Sequence, residues 1–314
     1  MAPATEGPAA ARVSVLVAAY DSHGTLRGLL EALRHQTFRD FETVVVDSGP
    51  SPASGEICRH FPEVTYLRSD RRLLPQQARE FALERSRAPV IVFTDADVYP
   101  DPHWLENALA AHLELDGAPI VGALACHGSR WVDRGIHFCK FSKWLPGGKR
   151  RLVDMGPTAN LLLSRASYQR CHGLEEDPWL GDVTLSWNLL AQGERLWFEP
   201  RAIVAHHHLT GLGAFLQERR VRGEMFSPLL ARWNGMEPAA IRRRWLATVL
   251  PARLVSNLGH SLRHALTAGQ GFAWWLTLPV HAAGWIATLL GEERGLRRLL
   301  QVSSPAAAPS SRNA

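Results

Sequence analysis

The chain has 314 residues, 46% of them hydrophobic and 21% charged, a balance that suits a packed globular protein rather than a disordered one. Its net charge of +5 is carried almost entirely by arginine, which favours a phosphate-bearing ligand or an anionic membrane surface as partner. No helix-turn-helix, zinc-finger or RNA-binding pattern accompanies the charge, so no nucleic acid partner is expected. The four cysteines include no CxxC pair and predict reduced thiols in a cytosolic compartment.

The first third of the chain alternates between apolar runs and helix-like segments. A near-continuous apolar run, Val13–Ala19, predicts a strand covered on both faces. Leucines at 26, 29, 30 and 33 then follow the spacing of an amphipathic helix, with Thr25 as its expected N-cap. The pattern repeats as predicted strands at residues 41–47, 64–66 and 89–95 and predicted helices at residues 53–61, 75–85 and 104–113. This alternation predicts an α/β fold with a mostly parallel sheet and helices on both sides.

The remainder of the chain is patterned less clearly. Residues 126–155 read as irregular, either an acceptor-side loop or an unpatterned insertion. A further strand is predicted at residues 160–163, and a helix is predicted to open at Asp182 and to end at Gly193. Two short strands, 196–198 and 202–204, are expected before three consecutive histidines, residues 206–208.

Asp95 and Asp97 directly follow a predicted buried strand. Two carboxylates one residue apart repel each other unless a cation relieves them, and hard oxygen ligands suit Mg²⁺ or Mn²⁺. Because Asp is also common in turns, an ordinary turn after the strand is the alternative. Ligands bind outside the carboxyl ends of parallel strands, and Tyr20 and Asp47 fall at such ends as well. This recurrence favours a ligand site over a chance acidic turn, although neither a GxGxxG nor a Walker A motif is present.

Taken in order, these segments resemble the family 2 glycosyltransferases, which have the GT-A nucleotide-sugar fold, over roughly residues 12–225. The resemblance rests on seven short segments: residues 14–21, 45–49, Ala78-Arg79, residues 93–97, Ala159-Asn160, residues 171–174 and Gly181-Asp182. The chain departs from the family pattern where Glu80 replaces the usual Asn and Gly181 the usual Glu. Val221 replaces the Trp of the QxxRW segment of processive synthases, which favours the addition of a single sugar over polymer synthesis.

The resemblance implies an inverting transfer of one sugar from a nucleotide-diphosphate sugar, expected to be UDP-linked, to a hydroxyl of a glycan or lipid-linked acceptor. It implies that Asp182 is the general base, although an Asp that opens a helix also suits an N-cap. The expected ligands of a divalent cation, Mg²⁺ or Mn²⁺, are Asp97, Asp95 and His206. The residues expected to contact the donor are Ala18, Tyr20, Asp47, Arg79, Asp95 and Arg220.

Several of these roles have a plain structural alternative. The Asp47 carboxylate could accept an N–H of uracil or thymine, or it could cap the turn that follows its strand. Tyr20 could stack on the base or merely pack at the strand end, and any single arginine could be a solvated surface residue. Among the three histidines only His206 and His208 can converge, because consecutive strand residues face opposite sides. A separate zinc site is not favoured, since the sequence offers no obvious further ligands.

The expected organisation is a disordered tail at residues 1–11, a GT-A domain at 12–232, a helical region at 233–300 and a second tail at 301–314. Residues 271–291 carry no Asp, Glu, Lys or Arg and are long enough to cross a bilayer, and their tryptophans suit a membrane interface. The alternative is a soluble helical subdomain packed on the catalytic sheet. Membrane attachment is favoured, which predicts an enzyme of envelope glycan or glycolipid synthesis at the cytoplasmic face of the cell membrane.

Two other functions stay open from the sequence. A nucleotidyltransferase of related fold usually has a glycine-rich basic loop after its first strand, which residues 20–24 do not resemble. The second alternative is a catalytically inactive nucleotide-sugar-binding protein. Gly181 in place of Glu is consistent with it, but it is disfavoured by four intact aspartates, Asp47, Asp95, Asp97 and Asp182.

Overall fold

The computed structural model describes residues 11–171, 180–208, 211–248 and 251–303. The strands of this part are β1 Val13–Ala19, β2 Phe41–Asp47, β3 Val64–Arg68, β4 Val90–Asp95, β5 Val98–Pro100, β6 Ile120–Cys126, β7 Arg151–Leu152, β8 Asn160–Ser164 and β9 Trp197–His206. The helices are α1 Leu26–Arg34, α2 Ala53–Cys58, α3 Pro75–Glu84, α4 Trp104–Glu114, α5 Trp131–Phe141, α6 Arg165–Arg170, α7 Gly181–Ala191, α8 Leu212–Trp233, α9 Pro238–Thr248, α10 Pro251–Thr267, α11 Gly271–Leu276 and α12 Leu278–Ser303.

All described strands join one sheet, in the order β3-β2-β1-β4-β8-β6-β9-β5, with β7 paired to β9. The first four strands are parallel, as the alternating pattern predicts; the apolar side chains of β1, β2 and β4 are mostly buried, and those of the edge strand β3 are partly buried. Their register sets the end of β1 beside both neighbours, because Ala18 pairs with Asp95 of β4 and Ala19 with Asp47 of β2. The α/β fold and the common edge for the acidic strand ends are therefore confirmed.

The other half of the sheet is mixed rather than parallel. Strand β8 runs antiparallel to both β4 and β6, whereas β6 and β9 are parallel. The two short strands expected before the histidines are one strand, β9, whose pairing with β6 shifts register between Gly122 and Ala123. Such a bulge adds local twist, and the shifted register places His206 opposite Cys126, the last residue of β6.

The interpretation of residues 126–155 as irregular is wrong, because they contain the helix α5. Most residues of α5 are buried, including Asp133 and His137 as well as its apolar side chains. The helix lies between the sheet and the C-terminal helices, so it shows no polar face and no amphipathic stripe. A buried helix of this kind leaves no periodic signal, which explains why the sequence did not reveal it.

Two smaller expectations also differ from the structure. Thr25 precedes α1 as expected, but its hydroxyl donates to the Ser22 carbonyl and does not cap the helix. In α4, Leu113 is exposed, while Ala111 and His112 are buried instead. The helix is therefore rotated slightly from the face that its leucines suggested, because small and polar side chains fill the layer against the sheet.

Helices α8 and α12 pack closely through glycines. A Cβ atom on Gly223 would lie 2.1 Å from the Thr288 carbonyl oxygen, and one on Gly291 would lie 2.0 Å from the Arg220 carbonyl oxygen. Only glycine allows the two backbones to approach this far. The expected 232/233 boundary falls one residue before the end of α8, and the expected tails lie almost wholly outside the described residues. Over the described residues, no helix combines the length and hydropathy that a bilayer crossing requires.

His281 of α12 gives the C-terminal helices an expected sensitivity to acid. Its imidazole is fully buried, 4.6 Å from the Trp274 ring centre, and its Nε2 has no hydrogen-bond partner. Burial lowers the pKa of His281 to about 4, below the ordinary 6.5. The unfolded chain therefore binds this proton more readily, so the stabilisation is present above pH 6.5 and is lost as the pH falls toward 4. We expect the free energy of unfolding to fall by about 3 kcal/mol across this window through this one group.

Urea unfolding at several pH values between 7 and 4 would measure this effect. His281→Phe removes the titrating group and should flatten part of the decline, whereas the exposed His60, changed to Gln, serves as the matched control. An unchanged pH dependence in His281→Phe would show that other groups carry the acid sensitivity.

Candidate active site

The acidic pair lies at the carboxyl end of β4, in the turn that leads to β5. Strand β5 pairs with β9, and the backbone carbonyl of Asp97 accepts a hydrogen bond of 2.8 Å from His207 N–H. This pairing brings His206 to the acidic turn, with its Nε2 3.8 Å from the Asp97 Oδ1. One ligand atom each from Asp95, Asp97 and His206 lie within 4.8 Å of one another. The three residues expected to bind a cation therefore converge.

The electrostatics of this cluster favour an added positive charge. Burial, and then the charge of Asp95, raise the pKa of Asp97 to about 7, while burial lowers the pKa of His206 to about 4. The cluster thus holds a neutral imidazole beside two carboxyl groups that disfavour each other's ionisation. The buried Nδ1 of His206 has no hydrogen-bond partner. Two carboxylates and a neutral imidazole are a donor set that fits a divalent cation such as Mn²⁺ or Mg²⁺.

Arg79 fixes one member of the pair. Its guanidinium is buried, and Nη2 donates to Asp95 Oδ1 at 2.6 Å. In the structure Arg79 therefore orients Asp95 and offsets its charge. To bind a diphosphate as well, Arg79 would have to contact it while keeping its bond to Asp95. The next residue along α3, Glu80, accepts a hydrogen bond from the Tyr168 hydroxyl, which accounts for a carboxylate where the family usually has an amide.

Asp182 lies in the first turn of α7, where its carboxylate accepts two hydrogen bonds from Arg222 Nη2, of 3.0 and 2.9 Å. Leu180, not Asp182, occupies the N-cap position, so the capping alternative does not describe this residue. Asp182 lines the same cavity as Asp95 and His206, and this cavity has a volume of about 510 Å³. The expected base and the expected cation site therefore face one enclosed space.

Gln76 occupies the space beside Gly181, where the family has Glu. A Cβ atom at position 181 would lie 2.2 Å from the Gln76 Nε2, so any side chain there would displace this buried glutamine. The neutral side chain of Gln76, from α3, thus fills the space that a side chain at position 181 would need. Asp182 is the remaining acid at the start of α7.

The far wall of the cavity is built by helices whose role the sequence did not reveal. Lys140 of α5 donates to Glu218 of α8 at 3.1 Å, and Arg219 also bonds this carboxylate. Burial alone would raise the pKa of Glu218, but its two cationic partners outweigh burial and lower that pKa to about 2. The remaining charged lining comes from the turn after α5 and from α8, α10 and α12, through Lys143, Arg222, Arg253, His260, His264 and Glu292.

Arg220, the arginine expected to bind the diphosphate, is not among the residues that line the cavity. Its backbone carbonyl instead packs against Gly291 of α12. Arg219 and Arg222, one residue before and two after it, face the cavity with Gly223 and Phe226. Positions three and four apart share one face of a helix, so this set could have been found once the segment was recognised as helical.

Ala18 pairs with Asp95 in the sheet, whereas Tyr20 follows β1 and Asp47 ends the neighbouring strand β2. Asp47 is fully buried: Oδ1 accepts from the Gly49 N–H at 2.8 Å, and Oδ2 from Tyr66 and Arg68, each at 3.0 Å. Asp47 therefore does organise the following turn, and a nucleobase would have to replace one of its present donors. Tyr20 is exposed at the sheet edge, with the Arg72 guanidinium 4.4 Å from its ring centre.

The three histidines diverge as the strand geometry predicts. The rings of His206 and His208 stack 4.9 Å apart, whereas His207 faces Tyr99 and His127. The expectation that no further ligands accompany a second metal site is wrong, because His208 meets His137 and Cys126. Both come from elements, α5 and β6, that the sequence did not predict.

The sequence of this chain is similar to those of known glycosyltransferases. Residues 14–162 match the profile of "Glycosyl transferase family 2". The pre-mycofactocin glycosyltransferase of Mycobacterium tuberculosis H37Rv is 26% identical over 244 residues, which are 72% of this chain and 49% of that protein. Glycosyltransferase GlyA of Streptococcus pneumoniae serotype 4 is 29% identical over 115 residues, which are 35% of this chain and 16% of that protein. The chain thus spans about half the length of the first of these relatives and a smaller share of the second.

A solved structure extends the similarity to most of the chain. The mannosyltransferase PcManGT from Pyrobaculum calidifontis, determined in complex with GDP-Man and Mn²⁺, has a TM-score of 0.55 over 86% of both chains, at 17% identity. At this identity the likeness establishes the fold and nothing finer. Together, these comparisons show that residues 14–162 resemble family 2 glycosyltransferases and that the chain has a GT-A fold.

Proposed function

We propose that this protein transfers a single sugar from a nucleotide-diphosphate sugar to an acceptor hydroxyl, with inversion at the anomeric carbon. One observation carries the proposal: Asp182 and Asp95 line the same cavity, although 87 positions (182 − 95) separate them in the sequence. A base and an acidic strand end that share one enclosed space match the needs of a direct displacement. The glycosyltransferase names of the similar proteins support the reaction class.

In this reaction the acceptor oxygen forms a bond to the anomeric carbon as the bond from that carbon to the diphosphate oxygen breaks. Asp182 takes the proton of the acceptor hydroxyl, and the diphosphate leaves with the electron pair. Arg222 holds the Asp182 carboxylate through two hydrogen bonds, which restricts it to one orientation. Lys140 and Arg219, which also line the cavity, supply positive charge toward the departing diphosphate.

A divalent cation fits the cluster of Asp95, Asp97 and His206. The fit rests on the three converging ligand atoms and on the two carboxyl groups whose mutual repulsion a cation would relieve. A bound cation would supply charge neutralisation to the diphosphate oxygens. The Mn²⁺ in the PcManGT complex is consistent with this assignment.

The proposed donor is a UDP-sugar, whose uracil N–H a carboxylate at Asp47 would accept. Guanine also carries N–H donors, so Asp47 alone does not choose between the two bases. The GDP-Man of the PcManGT complex makes a guanine nucleotide the competing donor. Thermal unfolding with a panel of UDP-, GDP-, TDP- and CMP-sugars, each with and without Mn²⁺, would separate them. We expect the UDP-sugars to raise the melting temperature in a Mn²⁺-dependent way, followed by slow sugar release. Stabilisation by GDP-mannose alone would overturn the UDP assignment, and no stabilisation by any member would overturn the function.

We further propose that the acceptor is presented at a membrane surface, with the catalytic region on the cytoplasmic face, in envelope glycan or glycolipid synthesis. Support comes from an apolar patch at the α10–α11 connection. Its side chains are large and mostly exposed: Leu266, Phe272, Trp275 and Leu276. Aromatic side chains with one polar edge suit the headgroup region of a bilayer, and a soluble surface rarely concentrates them.

Replacing two residues of this patch should weaken vesicle binding. Each aromatic that enters the bilayer contributes about 1.5–3 kcal/mol, so Phe272→Ser with Trp275→Ser should lower the partition coefficient at least about tenfold. Co-sedimentation with phosphatidylglycerol vesicles measures it, with the exposed Leu113→Ser on α4 as control. Equal sedimentation of the double variant and the unchanged protein would exclude this patch as the attachment surface.

A further inference from the structure

Cys126, His137 and His208 meet from three separate elements. Cys126 ends β6, His137 lies in the middle of α5, and His208 follows β9, which is parallel to β6. One ligand atom from each lies within 4.8 Å of the other two, and both histidines are almost completely buried. We propose that these three residues form a second metal site, of the zinc type, beside the Asp95–Asp97–His206 cluster and distinct from it.

The donors differ in kind from those of the acidic cluster. A thiolate with two imidazoles suits Zn²⁺ and other borderline-soft ions, whereas the carboxylates of Asp95 and Asp97 suit Mg²⁺ or Mn²⁺. Three protein ligands leave one coordination position open, which a water molecule can take. Cys126 is partly exposed, so solvent reaches this member of the cluster. Two neighbouring sites of different chemistry would therefore select different ions.

The backbone prepares His137 to act as a ligand. Its Nε2 lies 3.0 Å from the Leu124 carbonyl oxygen, which can only accept, so this nitrogen carries the proton of the neutral ring. The lone pair is then on Nδ1, which lies 3.0 Å from His208 Nε2. A carbonyl that holds the outer nitrogen of a ligating histidine is a common arrangement at metal sites.

The distances require little rearrangement. Two nitrogens bound to one tetrahedral zinc ion lie about 3.3 Å apart, so His137 and His208 would separate by only a few tenths of an ångström. The Cys126 sulfur would move inward, to about 3.6 Å from each nitrogen. Its present partner is a weak one, the Gly128 carbonyl at 3.5 Å, so this side chain is not held in place.

The competing description is a metal-free hydrogen bond from His208 Nε2–H to His137 Nδ1. This bond satisfies the two rings but gives Cys126 no part in the cluster. A metal would instead tie α5, which carries Lys140, to the end of β9, which carries His206. The site would then fix the position of α5 relative to the end of β9, and both elements contribute side chains to the cavity. This role does not depend on the identity of the donor or the acceptor.

Cobalt absorption spectroscopy on the full-length, chelator-stripped protein distinguishes the two descriptions. Only a cysteine ligand gives a thiolate-to-cobalt charge-transfer band, so the oxygen-rich acidic cluster is silent in this measurement. We expect an intense near-ultraviolet band that saturates at one Co²⁺ per chain, disappears in Cys126→Ser and is displaced by Zn²⁺. Disturbing a partner that merely orients a ligand costs 10–100-fold in affinity, so loss of a ligand in His208→Gln should weaken binding at least about 100-fold.

The neighbouring His207→Gln is the matched control, because His207 faces away from the cluster and should keep the band and its affinity. Asp97→Asn should also keep the band, which would show that the two sites are separate. If His208→Gln does not fold, the zinc content of unstripped protein decides, with one Zn²⁺ per chain expected and none in Cys126→Ser. Absence of the band at excess Co²⁺, or a band that survives Cys126→Ser, would overturn the proposal.

Discussion

Changing Asp182 to asparagine is expected to lower the turnover number by about 10²–10⁴-fold, the range that a positioned general base contributes. Asparagine keeps the shape and can still accept a hydrogen bond from Arg222, so the fold and the cavity should persist. Because the lost function is proton transfer, the decrease should appear in turnover and not in donor affinity. Sugar transfer under saturating donor, together with calorimetric binding of the donor, separates the two quantities.

The matched control for Asp182 is Glu63→Gln. Glu63 is also paired with an arginine, Arg34, but it lies at the surface and does not line the cavity. Its replacement should leave turnover unchanged. Near-normal turnover in Asp182→Asn would remove this residue from the mechanism, while equal losses of turnover and donor binding would assign it a structural role.

Changing Asp97 to asparagine should abolish most of the cation dependence of the enzyme. Loss of one ligand should weaken Mn²⁺ binding by about 100-fold or more, since disturbing a supporting partner alone costs 10–100-fold. The same change removes the repulsion between Asp95 and Asp97 that raises the Asp97 pKa. The metal-free variant should therefore melt at the same temperature as the unchanged protein or above it, although its activity is low.

Thermal unfolding with EDTA and with Mn²⁺ measures both effects for Asp97. Mn²⁺ should raise the melting temperature of the unchanged protein and have little effect on Asp97→Asn. Asp154→Asn is the control, because Asp154 is an exposed carboxylate at the protein surface. An undiminished Mn²⁺ response in Asp97→Asn would exclude Asp97 as a ligand.

The sequence predicts the N-terminal half of the sheet well for a physical reason. Strands β1, β2 and β4 are buried on both faces, so they appear as continuous apolar runs of the observed length. Helix α1 is half-exposed, so its four buried leucines show the helical period. Helix α5 and strand β6 lack such signals, because α5 is covered on nearly every side and β6 is rich in small residues.

The same division applies to the site. Asp95 and Asp97 could be placed because a strand end in a parallel sheet defines their position. Lys140, Arg219 and Arg222 could not, since their places depend on how α5 and α8 pack against the sheet. Local sequence patterns predict which helix or strand carries a residue. The packing of the helices determines which face of each helix borders the cavity. Arg220 illustrates the difference, because a shift of one residue along α8 moves a side chain out of the cavity.

The glycine contact between α8 and α12 determines the position of one wall of the cavity. Gly223 touches the backbone of Thr288, and α12 contributes Trp285 and Glu292 to the cavity wall. A single added methyl group at position 223 would push α12 outward and carry that wall with it. The width of this part of the cavity is therefore determined by how closely two backbones approach, and a change at position 223 would alter it without replacing any of the proposed reacting groups.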